Sequence, residues 1–185
     1  MADTKISALA AGTTPLAGTE QLPIVQGGAT VRATVGDIDR WAYIKLGSDF
    51  VTGSATAVDI TGLAFTPAAS KNYEFEAVLY LRTATTTVGP RPGLAWPTGL
   101  TDGVAQIRTP SSATAFTTVN GNINAALLAA VGGLPNTTQS YPAFIKGALI
   151  TGASPSGTVK IQLASETAAT NVTAKAGSYI KYRII

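Results

Sequence analysis

The segment that most constrains the fold is a run in which apolar and polar side chains alternate. It reads YEFEAVLYLR and extends from Tyr73 to Arg82. Successive side chains of a β-strand point to opposite faces, so one face carries Tyr73, Phe75, Ala77, Leu79 and Leu81. The other face carries Glu74 and Glu76 and becomes apolar further along. The pattern predicts a strand with one face in a core and an outer face that another chain partly covers.

The low charge of the chain favours contacts with other subunits. Charged residues make up 12% of the 185 residues, against a usual ~25%, and Thr, Ala, Ser and Gly take their place. A free monomer normally carries more surface charge, so we expect much of this surface to face other protein chains. A neutral, Thr-rich soluble β protein is the alternative interpretation.

Residues that are missing disfavour several classes of function. The net charge of +3 is spread thinly, and no run of Lys or Arg interleaved with aromatics predicts nucleic-acid binding. The chain has no Cys and no His, so we expect no disulfide, no metal and no cofactor. The N-terminus lacks the pattern of a signal peptide, and no apolar run approaches the ~20 residues that span a membrane. We therefore expect neither nucleic acid nor membrane as a partner.

Residues 1–46 are predicted to form a small module of their own. Isolated apolar side chains in an Ala-, Thr- and Gly-rich context predict an extended segment lying along a partner, and these are Ile6, Leu9 and Leu16. Two β runs, Gln21 to Gln26 and Ala29 to Ala33, flank a Gly-Gly pair and predict a hairpin. A capping-box pattern at Thr34 then predicts a short helix that ends at Gly47. The apolar positions of that helix are Ile38, Trp41, Ala42 and Ile44.

The N-terminal segment resembles that of many tailed-phage fibre and minor structural proteins. The resemblance is carried by KISAL from Lys5, LAGTE from Leu16, PIVQGGAT from Pro23 and TVGDI from Thr34. In that family the segment docks the appendage onto the virion, which implies docking roles for Ile6, Leu9, Leu16, Pro23, Ile24 and Val25. The rest of the chain is similar to C-terminal β domains of phage structural proteins, notably in GLAWP from Gly93 and GSYIKYR from Gly177.

From residue 47 to residue 185 the sequence predicts short strands joined by turns. In the last of them, Ile180, Tyr182 and Ile184 are expected to point inward, with Lys181 and Arg183 outward. Gly89 to Gly93 contains two prolines and predicts a loop, because proline lacks the N–H that a central strand needs. Asn122 to Val131 predicts a helix. The fold class is mainly β, an antiparallel β-sandwich of jelly-roll type with the N-terminal hairpin–helix module.

Two sets of side chains are candidates for a site. Glu74 and Glu76 share a strand face roughly 7 Å apart, a spacing that overlaps that of paired glycosidase carboxylates. Exposed strands often carry Glu at alternate positions, however, so a solvated or ion-paired face is the alternative. The aromatics Trp96, Tyr141, Tyr179 and Tyr182 are candidates for a sugar-stacking surface, against the alternative that they pack in the core. No nucleophile elbow, phosphate loop or calcium loop is present, so we predict no enzyme.

The sequence therefore predicts a virion structural protein, made in the cytoplasm of a bacterial host. We expect a fibre, spike or decoration-type appendage that assembles as a homotrimer and contacts capsid, portal or tail proteins. The alternative is a carbohydrate-binding module for host recognition, in which Trp96 and Tyr141 contact a glycan of the host surface.

Overall fold

The computed structural model describes residues 21–26, 28–34, 41–112, 115–123, 127–129 and 132–185. The chain divides into two compact units, Met1–Arg40 and Trp41–Ile185. In the first unit, β1 (Gln21–Gln26) pairs antiparallel with β2 (Ala29–Thr34). Gly28 makes the turn at a φ of 80°, which favours glycine. The hairpin predicted from the Gly-Gly pair is confirmed.

The second unit is built from strands that form two antiparallel sheets. The strands are β3 (Ala42–Lys45), β4 (Phe50–Thr52), β5 (Val58–Phe65), β6 (Asn72–Thr83), β7 (Pro90–Ala95), β8 (Thr98–Pro110), β9 (Phe116–Asn122), β10 (Leu127–Leu128), β11 (Tyr141–Ser156), β12 (Val159–Ser165), β13 (Val172–Ala174) and β14 (Tyr179–Ile184). The larger, eight-stranded sheet has the order β3-β14-β6-β11-β8-β9, and β13 joins β4 to β6. The four-stranded sheet has the order β10-β7-β12-β5. The described residues contain no helix, and the mainly β class is confirmed.

Strand β6 has the predicted alternation, and its inner face forms the centre of the core. The inner residues Tyr73, Phe75, Ala77, Leu79 and Leu81 are all buried. The smaller sheet contributes to the same core through Phe65, whose ring stacks on Tyr182 at 4.1 Å and lies 5.8 Å from Tyr73. The two sheets therefore share one set of buried side chains.

The last strand is an integral member of the larger sheet, because β14 pairs with β3 on one side and β6 on the other. Ile180 is fully buried and Tyr182 packs against the core, while Lys181 and Arg183 lie on the outer face, as predicted. Ile184 opposes Tyr73 and so lies on the inner face as predicted, but its side chain is 46% exposed. Strand β3 pairs with β14 only as far as Tyr182, so Ile184 has a neighbouring strand, β6, on one side alone.

The helix predicted between Thr34 and Gly47 is wrong over Ala42–Lys45, which form β3. Residues 35–40, including Ile38, lie outside the described part. The i, i+3 spacing of Trp41 and Ile44 fits a helix face, whereas Ala42 and Ile44 at i, i+2 fit a strand, in which Ile44 packs against the core and Tyr43 points outward. Pairing with β14 decides between the two periods. It also places Ala42–Lys45 in the second unit, which begins at Trp41 and not after residue 46.

The helix predicted over Asn122 to Val131 is also wrong where the structure describes it. Strand β9 extends through Asn122, and Leu127–Leu128 form β10 against β7. A short apolar run has no period of its own to distinguish helix from strand. Here the free side of β7 offers a partner strand, against which Leu127 and Leu128 pair.

The loop predicted at Gly89 to Gly93 is wrong as well, because Pro90 and Pro92 lie in β7 between β10 and β12. The Pro92 carbonyl accepts a bond from the amide of Ala129, so Pro92 faces the β10 side. The backbone N–H and C=O of a strand residue point to one side, and that side alternates from residue to residue, so Pro90 also faces β10. Neither proline therefore stands at a position where β12 would need an N–H donor. The short β10 pairs only with Leu94 and Gly93.

Candidate binding face of the larger sheet

The outer face of the larger sheet is the candidate site, because it combines ion pairs, exposed apolar side chains and an open groove. Strand register brings together residues that lie far apart in the sequence. One row of directly opposed polar residues crosses the sheet, and we call it the polar row: Lys181, Glu76, Lys146, Gln106 and Asn120.

Glu76 is the electrostatic centre of the polar row. Its two carboxylate oxygens lie 2.6 Å from Lys146 Nζ and 2.9 Å from Lys181 Nζ. Hydrogen bonds from these two ammonium groups hold the pKa of Glu76 below its ordinary value, and Glu76 in turn raises the pKa of Lys181. Further along the row, Gln106 Nε2 donates to Asn120 Oδ1 at 2.9 Å. Glu76 is therefore held as a paired carboxylate near neutral pH.

Glu74 is paired in the same way, with the guanidinium of Arg183. The ring of Trp41 covers both neighbouring cations, since Lys181 Nζ lies 4.3 Å and Arg183 Cζ 4.6 Å from its centroid. The two glutamates singled out from the sequence thus face cations across the sheet. A carboxyl group with a lowered pKa, as in Glu76, is poorly suited to donate a proton to a leaving group near pH 7.

An open groove of about 690 Å³ lies between the polar row and the next row of outer side chains. Its walls include Glu74 and Glu76 on one side and Val104, Gln106, Asn120 and Asn122 on the other. Small residues form its floor, namely Ala105, Gly121, Gly147 and Ala148. Gly147 cannot carry a side chain, because a Cβ there would lie 2.4 Å from Cζ of the buried Phe75 ring.

A smaller pocket of about 280 Å³, which we call the Arg108 pocket, continues the groove on the other side of the polar row. It is lined by Gln106, Arg108, Phe144 and Lys146, and shares Gln106 and Lys146 with the groove. The guanidinium of Arg108 lies 4.6 Å over the ring of Phe116, whose centroid is 6.4 Å from that of Phe144. An aromatic pair therefore supports the cation at the edge of this pocket.

Large apolar side chains are exposed on the outer face of the larger sheet. They are Tyr43, Tyr80, Val104, Phe116 and Ile150. Tyr80 lies at the apolar end of the outer face of β6 and is 38% exposed, whereas the Glu end is covered by ion pairs. The predicted change along β6, from charged to apolar, is thus present in the structure.

The aromatic side chains proposed from the sequence do not form one surface. Trp96 packs edge-on against Phe75 at 6.0 Å, and Tyr141 packs against the core opposite Leu81. Gly147 is the residue opposite Phe75 on β11, and Tyr141 lies about 20 Å from it along that strand. Neither Trp96 nor Tyr141 lines the groove. Tyr182 is stacked in the core, and Tyr179 lies 6.2 Å from Tyr43 on the outer face.

The docking residues expected from the phage resemblance fall in two groups. Pro23, Ile24 and Val25 lie in β1 of the hairpin. Ile6, Leu9 and Leu16 lie outside the described residues.

Sequence reasoning missed the residues of the Arg108 pocket because only strand register brings them together. Phe144 opposes Arg108, and Lys146 opposes Gln106. The one signal in the sequence is Lys146, a lone charged residue in an otherwise apolar run from Phe144 to Ile150. A charge at that position indicates an outer face with a polar neighbour.

No protein-family model matches the chain, and no curated protein matches it. Within the described ranges, no three His, Cys, Asp or Glu side chains gather as a metal site requires. Nor do those ranges contain a helix with the length and apolar character needed to cross a membrane.

Proposed function

We propose that the protein is a structural component of a phage virion, a fibre, spike or decoration-type appendage. Its N-terminal residues dock onto the particle, and its second unit is a jelly-roll-like β-sandwich displayed as a homotrimer. The observation that carries this proposal is the outer face of the larger sheet, where large apolar side chains stay exposed although the inner face is already buried.

The sandwich is supported by the shared core. Phe65 of the smaller sheet contacts Tyr73, Phe75 and Tyr182 of the larger one. Antiparallel sheets that interdigitate in this way pack face to face around one layer of side chains. Such a unit leaves its outer sheet faces available for partners.

The outer face is suited to a subunit contact for two reasons. It keeps several large apolar side chains in solvent, among them Val104, which is 56% exposed, and covering them with a second subunit would remove apolar area from water. Its carboxylates Glu74 and Glu76 are already neutralised by cations of the same chain. Covering a paired carboxylate costs less desolvation energy than covering an unpaired one.

Sedimentation of the full chain tests the assembly. We expect a trimer at micromolar concentration, weakened by Val104→Glu at the edge of the groove. Val58→Glu is the matched control, because Val58 is 37% exposed and lies on β5 of the smaller sheet, outside the groove. A monomeric parent protein would contradict the proposal. Equal effects of the two variants would show that the contact between subunits does not lie on the outer face of the larger sheet.

Docking is tested on virions by antibody labelling in electron micrographs. The full chain should label the particle, and a chain that begins at Trp41 should not, because it lacks the unit Met1–Arg40. Equal labelling by both chains would place attachment in the second unit instead.

The groove favours carbohydrate binding as an alternative function, in which a glycan and not a second subunit covers this part of the face. It presents amide side chains, Gln106 and Asn120, beside paired charges along an open surface. Planar polar groups of this kind hydrogen-bond sugar hydroxyls. A glycan array tests this role, with loss of binding expected for Gln106→Ala; loss for Trp96→Ala instead would favour the aromatic residues chosen from the sequence.

A further inference from the structure

We propose that the Arg108 pocket binds the carboxylate of an acidic sugar residue, with neighbouring sugars of the same glycan lying along the groove. The inference rests on the carbohydrate-binding function proposed above and specifies its ligand class. Uronic acids and other carboxylate-bearing pyranoses have the required chemistry.

The first argument is a local excess of positive charge. Lys146 and Lys181 share the single carboxylate of Glu76, and Arg108 lies beside Lys146 in the pocket. Three cations against one carboxylate leave an excess of two positive charges. Arg183 does not add to it, because its guanidinium pairs with Glu74. A bound anion would balance this part of the face.

The second argument is the state of Arg108 itself. Among the described residues its guanidinium has neither an ion-pair partner nor a hydrogen-bond acceptor, and its contact is with the Phe116 ring. This cation–π contact fixes the guanidinium while its N–H groups stay available. A planar guanidinium fork binds a carboxylate through two parallel hydrogen bonds, which a lysine cannot do.

The third argument is that the pocket offers contacts for the remainder of a sugar. The ring of Phe144 provides an apolar wall for the C–H face of a pyranose, and the Gln106 side-chain carbonyl is a hydrogen-bond acceptor for a hydroxyl. A volume of about 280 Å³ suits one sugar residue better than a larger group. From Arg108 to Val104 the groove follows β8 for about 14 Å, which suits an extended oligosaccharide.

The experiment is calorimetric titration of the full chain with uronate oligosaccharides and with their carboxyl-reduced forms. The probes are tri-galacturonate, a mannuronate trisaccharide and a hyaluronan tetrasaccharide, each beside the form in which the carboxylate is a primary alcohol. Reduction preserves the linkages and removes only the charge. We expect at least one acidic probe to bind about ten-fold more tightly than its reduced form, as one charge-assisted contact provides. The preference should fall as salt is added.

Variants assign the preference to the pocket. Arg108→Gln should abolish the difference between acidic and reduced probes, and Arg108→Lys should keep only part of it. Lys71→Gln is the matched control, because it also removes one exposed positive charge but lies outside the groove and the pocket. A thermal melt of each variant shows whether it is folded, and Arg108→Lys provides the test if Arg108→Gln is not.

The possible outcomes separate this inference from the function on which it rests. Equal binding of acidic and reduced probes, unchanged in Arg108→Gln, would overturn the carboxylate site and leave carbohydrate binding standing. No binding of any probe, together with an empty glycan array, would overturn both. Acetate or inorganic phosphate that binds as tightly as the acidic sugars would show a simple anion site, and would also overturn the proposal.

Discussion

The two faces of β6 differ in what holds their side chains in place, although they alternate along the same backbone. Inward, Leu79 and Leu81 are fully buried and fixed by close packing. Outward, Glu74 and Glu76 are held by cations from neighbouring strands. The inner face therefore determines the free energy of unfolding, and the outer face is available to determine what the protein binds. Changes to the two faces should separate these properties.

The largest effect is expected from deleting Ser178 to Ile185. The deletion removes β14 from between β3 and β6, takes Ile180 and Tyr182 out of the core, and exposes a new edge of the sheet. Each large apolar side chain contributes about 1.5–3 kcal/mol when buried. We expect loss of cooperative unfolding, measured by circular dichroism on heating, and aggregation. Deleting Ile185 alone, which is exposed, should leave the melt nearly unchanged. If the long deletion is soluble, folded and in the oligomeric state of the parent, β14 is peripheral to the fold.

A second comparison is between chains that begin at Trp41 and at Ser48. The shorter chain loses β3, with Ile44 and the buried Leu46, and should be less stable by about 3–6 kcal/mol. The longer chain keeps the whole second unit and should unfold cooperatively. Urea denaturation of both checks this. Equal midpoints would mean that β3 contributes nothing, and that the boundary after residue 46 is the better one.

Adjacent residues of β6 give the most direct test of the two faces. Leu79→Ala should lower the free energy of unfolding by about 2–5 kcal/mol, because it leaves a cavity in a packed core. Val78→Ala, on the outer face of the same strand, should cost less than about 1 kcal/mol. Denaturant titrations of both variants supply the values. Similar losses would mean that the outer face at Val78 is buried by another subunit under the assay conditions.

The smallest effect concerns Glu76 and depends on pH. Its folded-state pKa is lowered from 4.5, so its contribution to stability is present above about pH 4.5 and is lost as the pH falls through the lowered value. Glu76→Gln should cost about 1 kcal/mol at pH 7 and progressively less in acid. Thermal melts from pH 7 to pH 3 measure the difference. Asp102→Asn is the control, because Asp102 has no cation partner within the described ranges. If Glu76→Gln lowers the stability by the same amount at every pH, the ion pairs of Glu76 are not the cause.

The alternation of apolar and polar residues predicted the strands that build the core. It predicted the buried inner row of β6 and the core positions of β14 up to Tyr182. A strand with one buried face needs an apolar residue at every second position, and this pattern is visible in the sequence. It could not distinguish helix from strand at Trp41 to Ile44 or at Leu127 and Leu128, where the apolar residues fit either period. There the available partner strand decided the outcome.

The candidate site was less accessible from the sequence. Glu74 and Glu76 were visible as a pair, but their cations come from β11 and β14, and only strand register shows that Lys146 and Arg183 oppose them. Arg108 and Phe144 meet by the same rule. Register depends on the pairing of whole strands and has no local signature in the side chains concerned.

The prolines of β7 have a further consequence for how copies of this chain can associate. An amyloid-like or domain-swapped polymer grows when a foreign strand finds a row of free amide donors along a sheet edge. On the side of β7 away from β12, Pro90 and Pro92 have no amide hydrogen to offer, and Leu94 is already paired with Leu127. A foreign strand would find no free donor from Pro90 to Leu94 on this side of β7. Copies of this chain at high local concentration are thereby protected from merging their smaller sheets along this side of β7.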